Sequence, residues 1–314
     1  MNTSMFKYIV KRILISAATL FVILAVLFIM VKCLPGTPFN DEKLSQGQKA
    51  IIMSKYGLDK PIGVQFITYI KNMLSSDFGI SYALYKDLPV SMLVLSAAKI
   101  SFVLGICAVV IGTIIGMLLG VVAALHQNHF WDTFATVISV LGVSVPSFVF
   151  ALLLLIVLGI DFHIVPTIYN SEHAVATSIV PILALSVSVI ANVARFTRTE
   201  MISVLNSDYI QLAMAKGISR KLVIRKHCLR NALIPVITII GPILVNLMTG
   251  TMVIEQICGI PGLGKLLINS IRANDYNIIL ACSFLYSAMY IIMMLLVDLS
   301  YGLIDPRIRL AKEG

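Results

Sequence analysis

Six stretches of this 314-residue chain carry no Asp, Glu, Lys or Arg: 13–31, 100–125, 133–160, 174–194, 231–254 and 276–297. A helix of about 20 apolar residues crosses the roughly 30 Å hydrocarbon core of a bilayer, and each stretch reaches that scale. In hydrocarbon every backbone N–H and C=O must be satisfied within the protein, which leaves helices and closed barrels. Continuous rather than alternating hydrophobicity selects helices. A soluble protein with buried helices would need polar faces at helical spacing on most of these runs, and they have none. Composition agrees: only 12% of residues are charged, about half the share in a soluble domain. The chain reads as an all-α membrane protein with six transmembrane helices.

The net charge of +9 invites a nucleic-acid reading, but its distribution argues against one. With the N-terminus inside, Lys7, Lys11 and Arg12, eight Lys/Arg from Arg195 to Arg230, and Arg307, Arg309 and Lys312 all fall on one side. The two short outside loops hold only Lys265 and Arg272. That asymmetry sets topology with both termini cytoplasmic. The inside loop 126–132, with His126, His129 and Asp132, adds nothing to it, and the seven lysines of the long outside segment count little. No A-x-A site follows the first apolar run, which argues for a retained helix over a signal peptide.

The organisation follows in three parts. Residues 1–34 hold the N-terminus and first helix. Residues 35–99 form an extracytoplasmic region, with short amphipathic helices expected between Gly47 and Leu74, interrupted at Gly57 and Pro61. Residues 100–314 hold helices 2–6 and a polar inside loop, 195–232. Five cysteines at no metal-ligand spacing give no metal site. Cys33 and Cys258 both fall near the outer face, which leaves a disulfide open.

Within the inside loop, residues 207–235 read SDYIQLAMAKGISRKLVIRKHCLRNALIP. Asp208 followed by Gln211 has the form of a capping box, and Gly217 stands where a C′ glycine ends a helix. A helix of about nine residues, roughly 13 Å long, is too short to span. Ile210, Ala213 and Met214 share one of its faces. Ser219 can cap a second, basic helix. By pattern alone this is either an ordinary basic loop or a short surface helix held by two spans and suited to receiving force from a soluble partner.

Pro146, between Ser144 and Ser147, frees a backbone carbonyl and kinks the third span. The kink either lines a path or serves packing. Asn192 near the inner end of the fourth span and Asn246 in the fifth are amides in hydrocarbon, which must pair or meet water. Asn246 reads as interhelical glue or as path lining. After the fifth span, Gly259, Pro261, Gly262 and Gly264 impose a tight non-helical turn before a short amphipathic stretch. It lacks the spacing of a phosphate-binding loop and follows no strand. All five histidines lie outside the apolar runs, so no intramembrane hydrolase is assembled. The runs hold no ionisable residue, where a proton- or sodium-driven carrier would usually need one. A secondary transporter stays as the alternative from a different class.

The 207–235 stretch resembles the EAA-type loop in permease subunits of binding-protein-dependent ABC importers. Gln211, Leu212 and Ala213 take the Glu-Ala-Ala positions and Gly217 the glycine. The general pattern has Leu-Pro thirteen residues after that glycine; here Arg230 stands there and the proline comes later, as Pro235. LRNALIP (229–235), PGTPF (35–39), YGLDKP (56–61), DFGIS (77–81), NSDYIQLAMAKG (206–217), GIPGLG (259–264) and IDPRIR (304–309) are similar to the oligopeptide, dipeptide and nickel branch, most like the first of its two membrane subunits. The resemblance covers nearly the whole chain. It implies a type I ABC importer permease fold with an extracytoplasmic insertion after helix 1, in a bacterial inner membrane. It implies a heterodimer with a second homologous permease, two cytoplasmic ATPases that bind ATP and Mg, and an extracytoplasmic binding protein delivering peptide. Asp208, Gln211, Leu212, Ala213, Ala215, Lys216 and Gly217 would contact an ATPase. Ser144, Pro146, Ser147, Asn192 and Asn246 would line the path. Gly259, Pro261, Gly262 and Gly264 would meet the binding protein or form an outer gate. Dipeptides, glutathione and nickel or metal chelates remain alternative cargoes.

Overall fold

The computed structural model describes residues 3–33, 47, 53–54 and 57–304, with the backbone alone described at 3–9, 248–250 and 298–304. PGTPF, Tyr56 and residues 305–309 of the last motif lie outside the described residues. The helices are α1 (Thr3–Lys32), α2 (Ile62–Leu74), α3 (Val90–Leu125), α4 (Phe130–Ser144), α5 (Ser147–Leu154), α6 (Ala174–Leu205), α7 (Asp208–Ala215), α8 (Arg220–Val223), α9 (Leu229–Ile257), α10 (Leu263–Arg272) and α11 (Tyr276–Ile304). Among the described residues, five helical segments are long and apolar enough to cross a membrane. A sixth arises if α4 and the helix from Ser147 to Asp161 count as one broken span, bent by 104°.

The expected kink at Pro146 is thus a full break. Val145 is extended and Pro146, at φ −58° and ψ 139°, precedes α5 rather than lying within it. Proline disfavours the helical region for the residue before it, which is why the chain turns at Val145. By contrast Pro181 lies inside α6, and Pro235 and Pro242 inside α9. Other helices outrun their apolar stretches, α3 and α6 among them. α3 starts at Val90 and is 36 residues long, about 54 Å. α6 continues past Arg195 to Leu205.

The chain forms two compact units, Met1–Ser101 with Pro261–Ile292, and Phe102–Ile260 with Met293–Gly314. In the first, Phe28 and Val31 of α1 bury against Tyr276, Ile279 and Leu280 of α11. Phe66 of α2 closes on Phe28 with ring centroids 5.2 Å apart. Val90, Val94 and Ala97 of α3 pack with Leu263 and Leu266 of α10 and with Ile278, Ala281 and Cys282 of α11. Ser101 Oγ accepts the Leu263 N–H at 2.8 Å, satisfying one of the orphan donors that every helix start leaves. Asp275 is fully buried. Its Oδ2 accepts from Ser81 Oγ (2.5 Å) and from the N–H groups of Ala83 (3.0 Å) and Leu84 (3.1 Å), pinning the loop after DFGIS.

In the second unit α6 is the hub. Val180, Ala184, Leu185, Val189, Ala191, Val193, Ala194, Thr197 and Met201 are all buried on it. Gly112, Gly116 and Gly120 of α3, four residues apart and hence on one face, meet it so closely that an added Cβ would stand 2.5 Å from Val189 Cβ, 2.8 Å from Val193 Cβ and 2.5 Å from the Ala194 carbonyl oxygen. Gly142 of α4 does the same against Ala191. Without a hydrophobic driving force in lipid, small residues that let backbones approach supply the packing.

Candidate functional site

The broken span places Ser147 at the start of α5, beside α6 and α9. A cavity of about 270 Å³ opens there, lined by Ser147, by Leu185, Ser188 and Asn192 of α6, and by Ile243, Asn246 and Leu247 of α9. The spacing i, i+3, i+7 on α6 and i, i+3, i+4 on α9 puts each set on one helix face. Four of the seven linings are amides or hydroxyls and none is charged. Asn192 Nδ2 donates to the Ser188 carbonyl at 2.8 Å, which fixes the amide against its own helix. Ser188 Oγ donates to the Leu185 carbonyl at 3.3 Å. Of the five expected path residues, the structure brings together Ser147, Asn192 and Asn246. Ser144 and Pro146 are exposed and stand apart from the lining. Ser188 was missed, although its spacing from Asn192 was a readable signal.

The 208–217 segment forms as a separate short helix, with its start differing from expectation. Ser207 occupies the N-cap position and Asp208 is the first helical residue, with no side-chain cap bond. Ser207 Oγ instead donates to the Val204 carbonyl at 2.6 Å, and Gln211 reaches only the Asn206 carbonyl, at 3.5 Å. No capping box forms, because α6 ends just before and supplies the acceptors. The C-terminal end is as expected. Gly217 has φ +79°, its N–H meets the Met214 carbonyl at 2.9 Å, and the Ile218 N–H meets that of Ala213 at 3.3 Å. This is a Schellman motif.

The seated face of α7 is Ile210 and Ala213, joined by Ile218, against Met201, Val223, Cys228 and Ala232. Met214, expected on that face, is 43% exposed, since 3.6 residues per turn rotate it past a contact only one turn long. Asp208, Gln211, Leu212, Ala215, Lys216 and Gly217 are exposed, whereas Ala213 is half-buried. Asn231 Nδ2 donates to Tyr209 Oη at 3.0 Å, tying α7 to α9. Ser219 precedes α8 without a side-chain cap bond. The basic segment is not a second free helix: α8 runs through a π turn, Ile224–Cys228, into α9.

Asp132, which adds nothing to the charge asymmetry of the sequence, is 4% exposed. Its two oxygens take Arg198 Nε at 2.5 Å and Nη2 at 2.8 Å, and Oδ2 also accepts the Asn128 N–H at 2.9 Å. This bidentate pair joins α4 to α6. The partners lie 66 residues apart, so no local pattern could have revealed it.

The turn after α9 is tight as expected. Gly259 has φ +72°, and the Ile260 N–H closes on the Glu255 carbonyl at 2.9 Å. Gly262 then caps α10. Gly264 is not part of the turn, however, but lies inside α10. Gly262 and Gly264 are buried, Gly259 is half-buried and Pro261 alone is exposed. The apolar face of α10 seats on its own unit, with Leu263 and Leu266 packed among Val90, Val94 and Ala97, which draws Gly262 and Gly264 inward. Cys33 and Cys258 are free thiols, so the disulfide left open in sequence is not formed.

Residues 116–310 match the family described as "Binding-protein-dependent transport system inner membrane component", and residues 5–91 match its N-terminal companion. The chain is 41% identical to the dipeptide transport system permease protein DppB of Lactococcus lactis, covering 98% of this chain and 100% of that protein. It is 42% identical to DppB of Bacillus subtilis, over 99% and 100%. It is 40% identical to the oligopeptide transport system permease protein OppB of Escherichia coli K12, over 97% and 100%. A solved structure titled "Crystal structure of an amino acid ABC transporter with histidines" superposes with a TM-score of 0.53 at 18% identity, covering 67% of this chain and 92% of that one; at that identity the likeness is one of fold. The helical architecture and the matches over nearly its full length agree: this chain belongs to the binding-protein-dependent transport system inner membrane components, the permease subunits of ABC importers.

Proposed function

We propose that this permease subunit translocates oligopeptides handed to it by an extracytoplasmic binding protein, across a bacterial inner membrane, with both termini cytoplasmic. The observation that carries the reading is the uncharged cavity of Ser147, Ser188, Asn192 and Asn246. Amides and hydroxyls can each donate or accept, so they complement peptide backbone without selecting a side chain. Relatives named for dipeptides and for oligopeptides support the cargo class. Dipeptides are the second reading, favoured by the DppB matches.

The chain works as one half of a heterodimer with a second permease. Two cytoplasmic ATPases bind ATP and Mg and hydrolyse the ATP; this chain supplies the surface they push. That surface is Asp208, Gln211, Leu212, Ala215, Lys216 and Gly217. Ile210, with no exposed surface, and Ala213 lock α7 to the ends of α6 and α9. Those two helices carry six of the seven cavity linings. A displacement of α7 therefore moves the walls of the cavity as bodies, which suits alternating access.

The test is the ATPase rate of the co-purified complex in nanodiscs with its binding protein, using separate pools of dipeptides and of longer peptides, with glutathione and nickel alongside. Stimulation by longer peptides is the expected result. Stimulation by dipeptides alone moves the cargo to the second reading. Stimulation by nickel or glutathione alone refutes peptide cargo, and absence of any ATPase partner refutes the coupling role of α7.

A further inference from the structure

We propose that the first unit holds a site for the phosphate of a phospholipid headgroup, built around Lys32. The apolar span Val10–Lys32 ends on this residue, which sets its ammonium at the hydrocarbon boundary, the depth of lipid headgroups. A lysine at a helix end ordinarily extends into water. Lys32 is instead half-buried, with Nζ 5.5 Å from the Phe28 ring centroid and 5.3 Å from that of Tyr276. Among the described residues no carboxylate pairs with it.

A cavity of about 330 Å³ opens beside it, lined also by Lys60, Gln65, Tyr69, Asn72 and Asp77. Two of its polar atoms, Tyr69 Oη and Gln65 Oε1, are buried without a hydrogen-bond partner. Such orphans are costly and call for an explanation, an unseen ligand or water among them. Burial pushes the Tyr69 phenol up from its usual range, with Cys282 adding to the effect, so Tyr69 stays protonated and donates. Gln65 is held by its amide nitrogen, which donates to the carbonyls of Leu58 (3.1 Å) and Lys60 (2.6 Å), and its oxygen remains to accept. Asp77 Oδ1 is taken by the Gly79 N–H at 2.9 Å.

The set is therefore two ammonium groups, Lys32 and Lys60, and a phenol that donate, beside the Gln65 oxygen and the Asp77 carboxylate, which accept. A phosphodiester with a hydroxylated headgroup matches it: the phosphate meets Lys32 and Tyr69, and a headgroup hydroxyl meets Gln65. Charge-assisted bonds to phosphate are the strong ones. Ile29 and Met30, in the last turns of α1, are 57% and 59% exposed and leave apolar surface for an acyl chain. The site is charged where the translocation cavity is neutral, and it does not depend on the peptide reading.

Native mass spectrometry of the detergent-purified transporter, titrated with dioleoyl phosphatidylglycerol and separately with inorganic phosphate, tests it. One phosphatidylglycerol should be retained. Lys32→Gln should weaken retention about tenfold or more, Lys32→Arg should restore it, and Tyr69→Phe should weaken it several-fold. Lys99→Gln, an exposed lysine of α3, should change nothing. Equal retention by Lys32→Gln and Lys99→Gln overturns the proposal. If Lys32→Gln does not assemble, wild-type retention by Tyr69→Phe overturns it. Displacement of the lipid by inorganic phosphate, with the same dependence on Lys32, makes it a site for a free anion and overturns the lipid assignment.

Discussion

Gly120→Ala should destabilise the protein even though alanine is the better helix former. Placed mid-helix, the substitution gains about 0.5–1 kcal/mol from the lost flexibility of glycine. Against that, the new Cβ would stand 2.5 Å from the Ala194 carbonyl oxygen, 2.6 Å from Thr197 Cβ and 3.1 Å from the Arg198 nitrogen. Ordinary contact begins at 3.4 Å, so the shortfall at Ala194 is about 0.9 Å. Two of the three atoms are backbone and cannot rotate away, so α3 and α6 must separate. At Gly116, one turn earlier, an added Cβ would stand 2.9 Å from the Ile190 carbonyl oxygen, so the close approach there is lost by the same movement. Overpacking costs about 1–3 kcal/mol; with two immovable backbone atoms the cost here lies in the upper half, at about 2–2.5 kcal/mol, and the net is about 1–2 kcal/mol of lost stability. For a unit of this size that is roughly a 3–6 °C fall in Tm, measurable by heating the purified complex in detergent and following the loss of the monodisperse peak. Gly63→Ala, near the start of α2 with nothing within 4 Å, is the control and should hold or raise Tm. A Gly120→Ala protein as stable as wild type would refute the close-packing account of the α3–α6 contact.

Three other outcomes are expected. Asp132→Asn leaves Arg198 unpaired and should cost about 2–3 kcal/mol, at or below the low end for a broken buried pair because the Arg198 side chain is 30% exposed. In a double-mutant cycle on Tm, Asp132→Asn with Arg198→Gln should cost less than the sum of the singles; strict additivity would mean that the pair does not couple α4 to α6. Leu212→Asp or Ala215→Trp, on the exposed face of α7, should uncouple ATP hydrolysis from uptake while membrane insertion stays normal; wild-type uptake in proteoliposomes by both would remove the ATPase contact from this face. Asn192→Leu and Asn246→Leu should each lower labelled-peptide uptake about fivefold, the effect of a hydrogen bond worth about 1 kcal/mol. Unchanged uptake by both would mean that cargo passes elsewhere.

Fold class was legible because it rests on one-dimensional quantities. An uncharged run of sufficient length has few ways to satisfy its backbone in hydrocarbon, so six candidate spans could be counted directly, five of them single long helices among the described residues and the sixth the bent pair at Pro146. Gly217 was readable for a similar reason: a positive φ at a helix end is a local demand that glycine meets. So was a disruption at Pro146, though not its size. A proline reports only its own ring and the residue before it, and a 104° bend depends on what α5 packs against.

What only the tertiary structure decided is which residues meet across the chain. The seating of Ile210 against Val223, Cys228 and Ala232 set Met214 outside and Ala213 partly inside. The burial of α10 against its own unit turned a glycine-rich turn expected at the surface into one with Pro261 alone exposed. Asp132 with Arg198 and Gly120 with Ala194 are long-range contacts, and Ser147, Asn192 and Asn246 come from distant parts of the chain to line one cavity. Local hydrogen bonding and hydrocarbon solvation fix where helices exist, because both are decided by neighbouring residues within one segment. The faces those helices share depend on packing between residues far apart in the chain, and no local pattern in one sequence specifies that packing.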